Sequence, residues 1–202
     1  SPITSLADVA YYKDKGISYV TLTHALDNDI CDSSYDTTKT WNGLSPFGMD
    51  VVKAMNNTGI MVDVSHISDD AFYDVIKITK VPVIASHSSA RHFTPDWERN
   101  MSDEMMLRLK ENGGVIMVNF GSTFLDSEVG KYKSELITRL REELKAKGLE
   151  GTALREALAK GIASDLKAYS DVHRVADHID LIVKLIGIDY VGIGSDYDGV
   201  GD

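Results

Sequence analysis

Polar residues able to do chemistry recur in this chain where apolar runs stop. His24 closes YVTLTH, His66 closes IMVDVSH, His87 closes VPVIASH, Asn119 lies in VIMVNF, and Asp196 closes YVGIGSD. Neutral imidazole nitrogens bind zinc, and a carboxylate can complete such a site or take a proton from metal-bound water. Taken singly, a histidine at a strand end reads more readily as a satisfied structural residue. Three of them with an aspartate point instead to a mononuclear or binuclear hydrolytic centre, although no local signature such as HExxH is present.

The elements that must position these groups are five short, largely β-branched runs: 18–23, 60–65, 81–86, 114–120 and 189–195. Their length and composition read as buried strands. Ser45-Pro46 opens a helix ending at Gly59, Ser68-Asp69-Asp70 opens one running to about Thr79, and Ser102-Asp103-Glu104 opens one ending at Asn112-Gly113. Residues 4–15 form a further helix closed by Gly16, and 172–186 is amphipathic. Strands alternating with helices imply a parallel sheet, either open and doubly wound or closed into a barrel, and periodicity does not choose between them. In both, functional residues gather at the C-terminal strand edge. Alternation places His66 on the side of Val62 and Val64, and His87 on the side of Val83 and Ala85, so both rings should project the same way. Two connections are long. The polar stretch 27–44 reads as an irregular loop on the active face, and the charged stretch 127–169 as two inserted helices. No internal repeat or linker divides the chain, which is read as one domain over 1–202.

Composition narrows the field. With 202 residues, 43% hydrophobic and 26% charged, the chain is an ordinary globular domain. A net charge of -10 without a Lys/Arg cluster disfavours nucleic acid as a partner. No apolar run approaches the ~20 residues of a membrane helix, and no signal peptide is evident. The chain reads as soluble, with the compartment open between cytoplasmic and exported. Cys31, the single cysteine, has no base paired with it in sequence and is a poor nucleophile. Asp63 falls on the opposite parity to His66 and suits a supporting hydrogen bond. His92, His173 and His178 read as structural or surface residues, and Gly192 and Gly194 as close-packing positions.

Several strings together resemble the membrane (renal) dipeptidase family, zinc peptidases related to the amidohydrolase barrels. They are YVTLTH, NGLSPFGMDVV, IMVDVSHIS, VPVIASHSSA, the RN of WERNMSDEMM, GVIMVNF, ADHID and VGIGSDYDGV, in order along nearly the whole chain outside 127–169. The resemblance implies a TIM-type (β/α) barrel, two zinc ions, and hydrolysis of dipeptides by a metal-bridging hydroxide, in many members with a D-residue at the C-terminal position. It implies that His66 and His87 hold one of the zincs and that Asp196 handles the proton and meets the substrate ammonium. His24 would face the scissile carbonyl, and Arg99 would grip the substrate carboxylate, with Arg91 a lower-ranked clamp. Such chemistry suits these side chains: an imidazole N–H can stabilise an oxyanion, and a guanidinium binds a carboxylate in a two-pronged geometry. Family members are often dimers.

The family also places a His-x-Asp pair at the end of its first strand and a bridging glutamate at the end of its third, and neither is found here. A closed barrel has eight strands and typically ~250 residues. The expectation is therefore the last five strands of a partial barrel, lacking the first three and the final helix, and inactive by itself. Two other readings stand beside it: a related amidohydrolase acting on another small amide or ester, and a non-catalytic fragment or paralogue.

Overall fold

A computed structural model describes residues 1–200; Gly201 and Asp202, the end of the assigned domain, lie outside the described residues. The first helix, α1 (Leu6–Asp14), is followed by β1 (Tyr19–Thr21), α2 (Pro46–Thr58), β2 (Met61–Asp63), α3 (Asp69–Ile78) and β3 (Ile84–Ala85). Then come α4 (Asp103–Asn112), β4 (Val115–Val118), a short α5 (Ser122–Leu125), α6 (Ser127–Ala146), α7 (Gly151–Ala163), α8 (Val172–Ile186) and β5 (Val191–Ile193). Each expected strand is present but shorter than its apolar run.

Three helix starts share one device. The hydroxyls of Ser45, Ser68 and Ser102 accept the backbone N–H groups of Gly48, Ala71 and Met105, satisfying donors that a helix start would otherwise leave orphaned. Gly59 and Gly113 stop α2 and α4 in the left-handed conformation, at φ 75° and 81°. Beyond the expected elements the chain forms α5 and single turns of 3-10 helix at Arg91–Phe93, Leu166–Ala168 and Ile188–Tyr190. These pieces are too short to leave a periodic signature.

The strands pair in parallel in the order β1-β2-β3-β4-β5. This confirms the α/β class and the parallel sheet. Among the described residues the sheet is five-stranded and unclosed, with β1 and β5 as its edges. One face is covered by helices: α1 packs on α2, α2 on α3, α3 on α4 and α4 on α8. Val20, Val62, Val64, Val83, Ala85, Ile116 and Val118 enter one core with Phe72, Leu109 and Ile182 from those helices. Each such large side chain contributes roughly 1.5–3 kcal/mol on burial. The other face carries the exposed Tyr19, Met61 and Ile193 and lines a groove of about 580 Å³ with Ile84, Ser86 and Met117.

The loop 27–44 contains no helix and is held by carboxylates. Asp27 accepts the N–H groups of Ser33 (2.8 Å) and Thr40 (2.9 Å), and Asp32 those of Trp41 (2.8 Å) and Gly43 (3.0 Å). Its richness in Asp is thus the means by which an irregular backbone is satisfied. No helix among the described residues is long and apolar enough to cross a membrane.

Candidate active site

β2 ends at Asp63 and β3 at Ala85, so His66 and His87 lie past the pleat that was expected to aim them. Their rings nevertheless meet, with Nε2 of His66 and Nε2 of His87 2.7 Å apart. The route differs from simple alternation. Val62, Val64, Val83 and Ala85 point into the helix-covered core, whereas His87 Nδ1 sits 2.7 Å from Ser86 Oγ and Ser86 Oγ donates to Asp63 (2.6 Å), on the opposite parity. His66 takes a left-handed φ of 72°. Asp196, also beyond its strand, does the same at 56°. Such conformations cost non-glycine residues about 1–3 kcal/mol and concentrate at functional sites.

His24, three residues past the end of β1, lays its ring 4.3 Å from that of His66, and Tyr35 from the 27–44 loop stands 5.9 Å away. Asp196 accepts a hydrogen bond from Asn119 Nδ2 at 3.0 Å, fixing one carboxylate oxygen. His24, Tyr35, His66, His87, Phe124 and Asp196 line a common cavity of about 450 Å³. Four strand ends thereby converge on one space.

Arg99 is 2% exposed and lies behind this cavity. It donates to Ser88 Oγ (2.8 Å) and to the His87 carbonyl (2.7 Å), stacks on Phe124 at 5.0 Å, and leaves Nε without a partner. No ion pair within 4 Å ties it to a carboxylate among the described residues, so its buried charge is balanced only at longer range. Burial lowers its pKa, opposed by Tyr35, Asp63 and Asp196. Arg91 differs: both guanidinium nitrogens bind Asp69, at 2.7 and 2.6 Å, and Nε donates to the Asn100 carbonyl. That commitment leaves Arg91 unsuited to clamp a ligand.

Electrostatics favour neutral imidazoles. Desolvation, then the positive charge of Arg99, pushes His66 down to about 2 and lowers His87. Neutral rings are the form that binds a cation. His66 Nδ1 is buried without a partner, and two Nε2 atoms facing each other can share only one proton. A zinc ion could take a lone pair from each, so the donor chemistry fits such an ion and would supply two of its ligands. Among the described residues no third His, Cys, Asp or Glu joins them in a metal-holding group.

The remaining histidines behave as the sequence suggests. His178 is fully buried, accepts the Ala90 N–H and faces the Leu125 carbonyl at 2.9 Å, while His92 and His173 are exposed. Cys31 is buried, which drives its thiol pKa up and keeps it protonated. Tyr35 and Ser86 were not singled out from sequence. Tyr35 sits in the loop read as belonging to the active face, which was the available signal; Ser86, beside a candidate ligand, gave none.

The family model for membrane dipeptidases, Peptidase family M19, matches residues 1–202. The chain belongs to the membrane dipeptidase family. By family it is a metallopeptidase, a hydrolase. It is 36% identical over 199 residues to a dipeptidase of Schizosaccharomyces pombe, covering 98% of this chain and 39% of that protein. The structure resembles the probable dipeptidase PvdM of Pseudomonas aeruginosa with a TM-score of 0.79 and 29% identity, covering 97% of this chain and 55% of that one. A Rhodobacter sphaeroides metallo peptidase, solved with a phosphinate mimic of the dipeptide L-Ala-D-Ala, shares the fold at a TM-score of 0.70 and 22% identity, with 96% and 46% covered. The membrane dipeptidase chain described here therefore spans about half the length of these solved relatives or less.

Proposed function

We propose that this chain is the greater part of the catalytic domain of a zinc-dependent dipeptidase, and that His66 and His87 hold one zinc. The observation that carries the reading is the approach of two neutral imidazoles to 2.7 Å within a cavity shared with His24 and Asp196. The five parallel strands are read as consecutive strands of a (β/α) barrel, one domain with a helical insertion at about 127–169. In support, the chain covers only 55% of the PvdM structure it resembles. Two histidines are fewer ligands than a zinc site takes. Segments beyond these 202 residues would supply the rest, and the 202 residues alone would not turn over.

The chemistry a zinc ion supplies at such a pair is Lewis-acid polarisation of a carbonyl and acidification of water. The chain's own residues do the remainder. His24, stacked beside His66, offers a ring N–H to the oxygen of the scissile carbonyl as charge develops there. Asp196 has one oxygen held by Asn119 and the other available to take a proton and pass it to the leaving amine. Its carboxylate also suits the substrate ammonium. Arg99, a buried cation in need of a counterion, is assigned to the substrate's terminal carboxylate. With Asp196 on the ammonium and Arg99 on the carboxylate, both substrate termini would be held, and that limits the substrate to short peptides.

The test is metal content and dipeptide hydrolysis on the full-length protein. Stoichiometric zinc with turnover of a dipeptide panel is expected. Zinc binding without turnover of any dipeptide overturns the substrate class and favours a related amidohydrolase acting on another small amide or ester. Failure to bind zinc overturns the catalytic reading altogether. Arg99→Ala should weaken dipeptide capture, and equal activity of the unmodified enzyme on dipeptides and their C-terminal amides would remove Arg99 from its assigned role.

A further inference from the structure

Asp63 lies beside the candidate centre, and the chemistry proposed for the site does not use it. It is completely buried. Oδ1 accepts the backbone N–H groups of Ser65 and Ser86, each at 3.0 Å. Oδ2 accepts the hydroxyls of Thr21 and Ser86, each at 2.6 Å. The carboxylate thus ties together the ends of β1, β2 and β3. It also fixes the direction of one further bond. A serine hydroxyl has a single proton, and Ser86 gives it to Asp63. Facing His87 Nδ1 at 2.7 Å, the Ser86 oxygen can then only accept. His87 must carry its proton on Nδ1, which leaves the lone pair on Nε2, the atom that meets His66.

We infer that Asp63, acting through Ser86, is a positioning residue that sets the tautomer of His87 and presents its Nε2 bare to a cation. The inference rests on the proposed role of His87 as a metal ligand, but the tautomer itself exists without metal and can be read without it. An ionised carboxylate is required because it accepts on both oxygens. In Asp63→Asn the amide oxygen must stay on the two backbone N–H groups, since turning the amide NH2 toward them would set donor against donor. The NH2 then faces Thr21 and Ser86 and donates to both hydroxyl oxygens. Ser86 is left with its own proton free to donate to His87 Nδ1. The tautomer inverts, and the proton lands on Nε2.

The experiment is long-range 1H–15N correlation of histidine side chains on the full-length protein, labelled with 15N-histidine, stripped of metal and held at neutral pH. The native protein should show His87 protonated at Nδ1, and Asp63→Asn should show it protonated at Nε2. Ser86→Ala should lose the fixed Nδ1–H signature, while Ser86→Thr, which keeps the hydroxyl, should retain it. This serine pair carries the test if Asp63→Asn does not fold. Zinc affinity, titrated separately, should fall by about 10–100-fold in Asp63→Asn and Ser86→Ala. A native His87 protonated at Nε2, or an Nδ1–H signature unchanged in Asp63→Asn or Ser86→Ala, overturns the relay. A protein that shows the expected inversion yet binds no zinc supports the relay and sinks the metal role of His87 instead.

Discussion

The rim of strand ends and the hairpin of α6 and α7 are held together in contrasting ways. Along the rim, Asp63, Ser65, Ser88, Ser89, Asn100 and Asn119 are all buried, and their side chains exchange hydrogen bonds with backbone groups and with one another. In the hairpin, α6 packs on α7 and also on α5 and the Leu166–Ala168 turn, and the buried residues of the two long helices are Leu136 and Leu158. A buried polar network has directed bonds and one good arrangement, because each unmet donor or acceptor is expensive at low dielectric. An amphipathic helix pair tolerates substitution wherever volume and pattern are kept. Precision is therefore concentrated where side chains must be aimed at a ligand, and the hairpin is free to vary.

The largest effect should come from Asn100→Ala. Asn100 Oδ1 accepts the Ser89 N–H at 2.9 Å, and Nδ2 donates to Thr94 Oγ1 at 2.7 Å and to the Phe124 carbonyl at 2.8 Å. Removing it leaves several buried groups unpaired at about 1–3 kcal/mol each. Urea denaturation should show the protein close to unfolded, and a loss under about 1 kcal/mol would dissolve the contrast between the two regions.

Gly194→Ala comes next. A Cβ there would run into the Ser86 carbonyl oxygen and stand 2.8 Å from Met117 Cβ, contacts that backbone and strand pairing cannot relax. A destabilisation of about 1–3 kcal/mol is expected from overpacking. The reading of this glycine as a close-packing position would fail if the alanine variant melted like the native protein.

Asp126 ties the hairpin to α8. It caps α6 by accepting the Glu128 N–H at 2.9 Å and pairs with Arg174 of α8 at 2.7 Å. Loss of such a cap costs about 0.5–2 kcal/mol, so Asp126→Ala should lower the melting temperature by a few degrees. Desolvation raises the Asp126 pKa, but the Arg174 and Glu128 hydrogen bonds outweigh it and hold the pKa below 3.8. A carboxyl whose folded pKa is depressed contributes stability that is complete above its unfolded value and is lost as pH falls through the folded one. The native protein should thus lose more stability than Asp126→Ala on acidification below about pH 4, and parallel acid titrations of the two would contradict this.

The smallest effect is a gain. Gly130 is inside α6, and a Cβ there meets Thr123 at ordinary contact distances of 3.6–3.7 Å. Gly130→Ala should stabilise by about 0.5–1 kcal/mol through helix propensity alone. A loss on calorimetry would show the hairpin to be as tightly specified as the rim.

The five strands, the serine-capped helices and the location of histidines at strand ends were legible in the sequence, because each depends on short-range periodicity and capping chemistry. His66 and His87 could be named as a pair, but the reason first available for their convergence, strand alternation, does not operate: both strands end before the histidines, and a left-handed turn at His66 aims its ring. Arg91 and Arg99 could be ranked from sequence, yet only the contacts show why one is consumed by Asp69 and the other is left with a buried charge. Asp63 could be given a supporting role without its partners. Their identities depend on the register that brings Thr21 and Ser86, distant in sequence, to its two oxygens. Sequence alone determined which residues are available for chemistry, since local pattern decides where strands stop and what stands there. Tertiary structure decided which of them face one another, since the direction of a hydrogen bond depends on partners that only folding brings within reach.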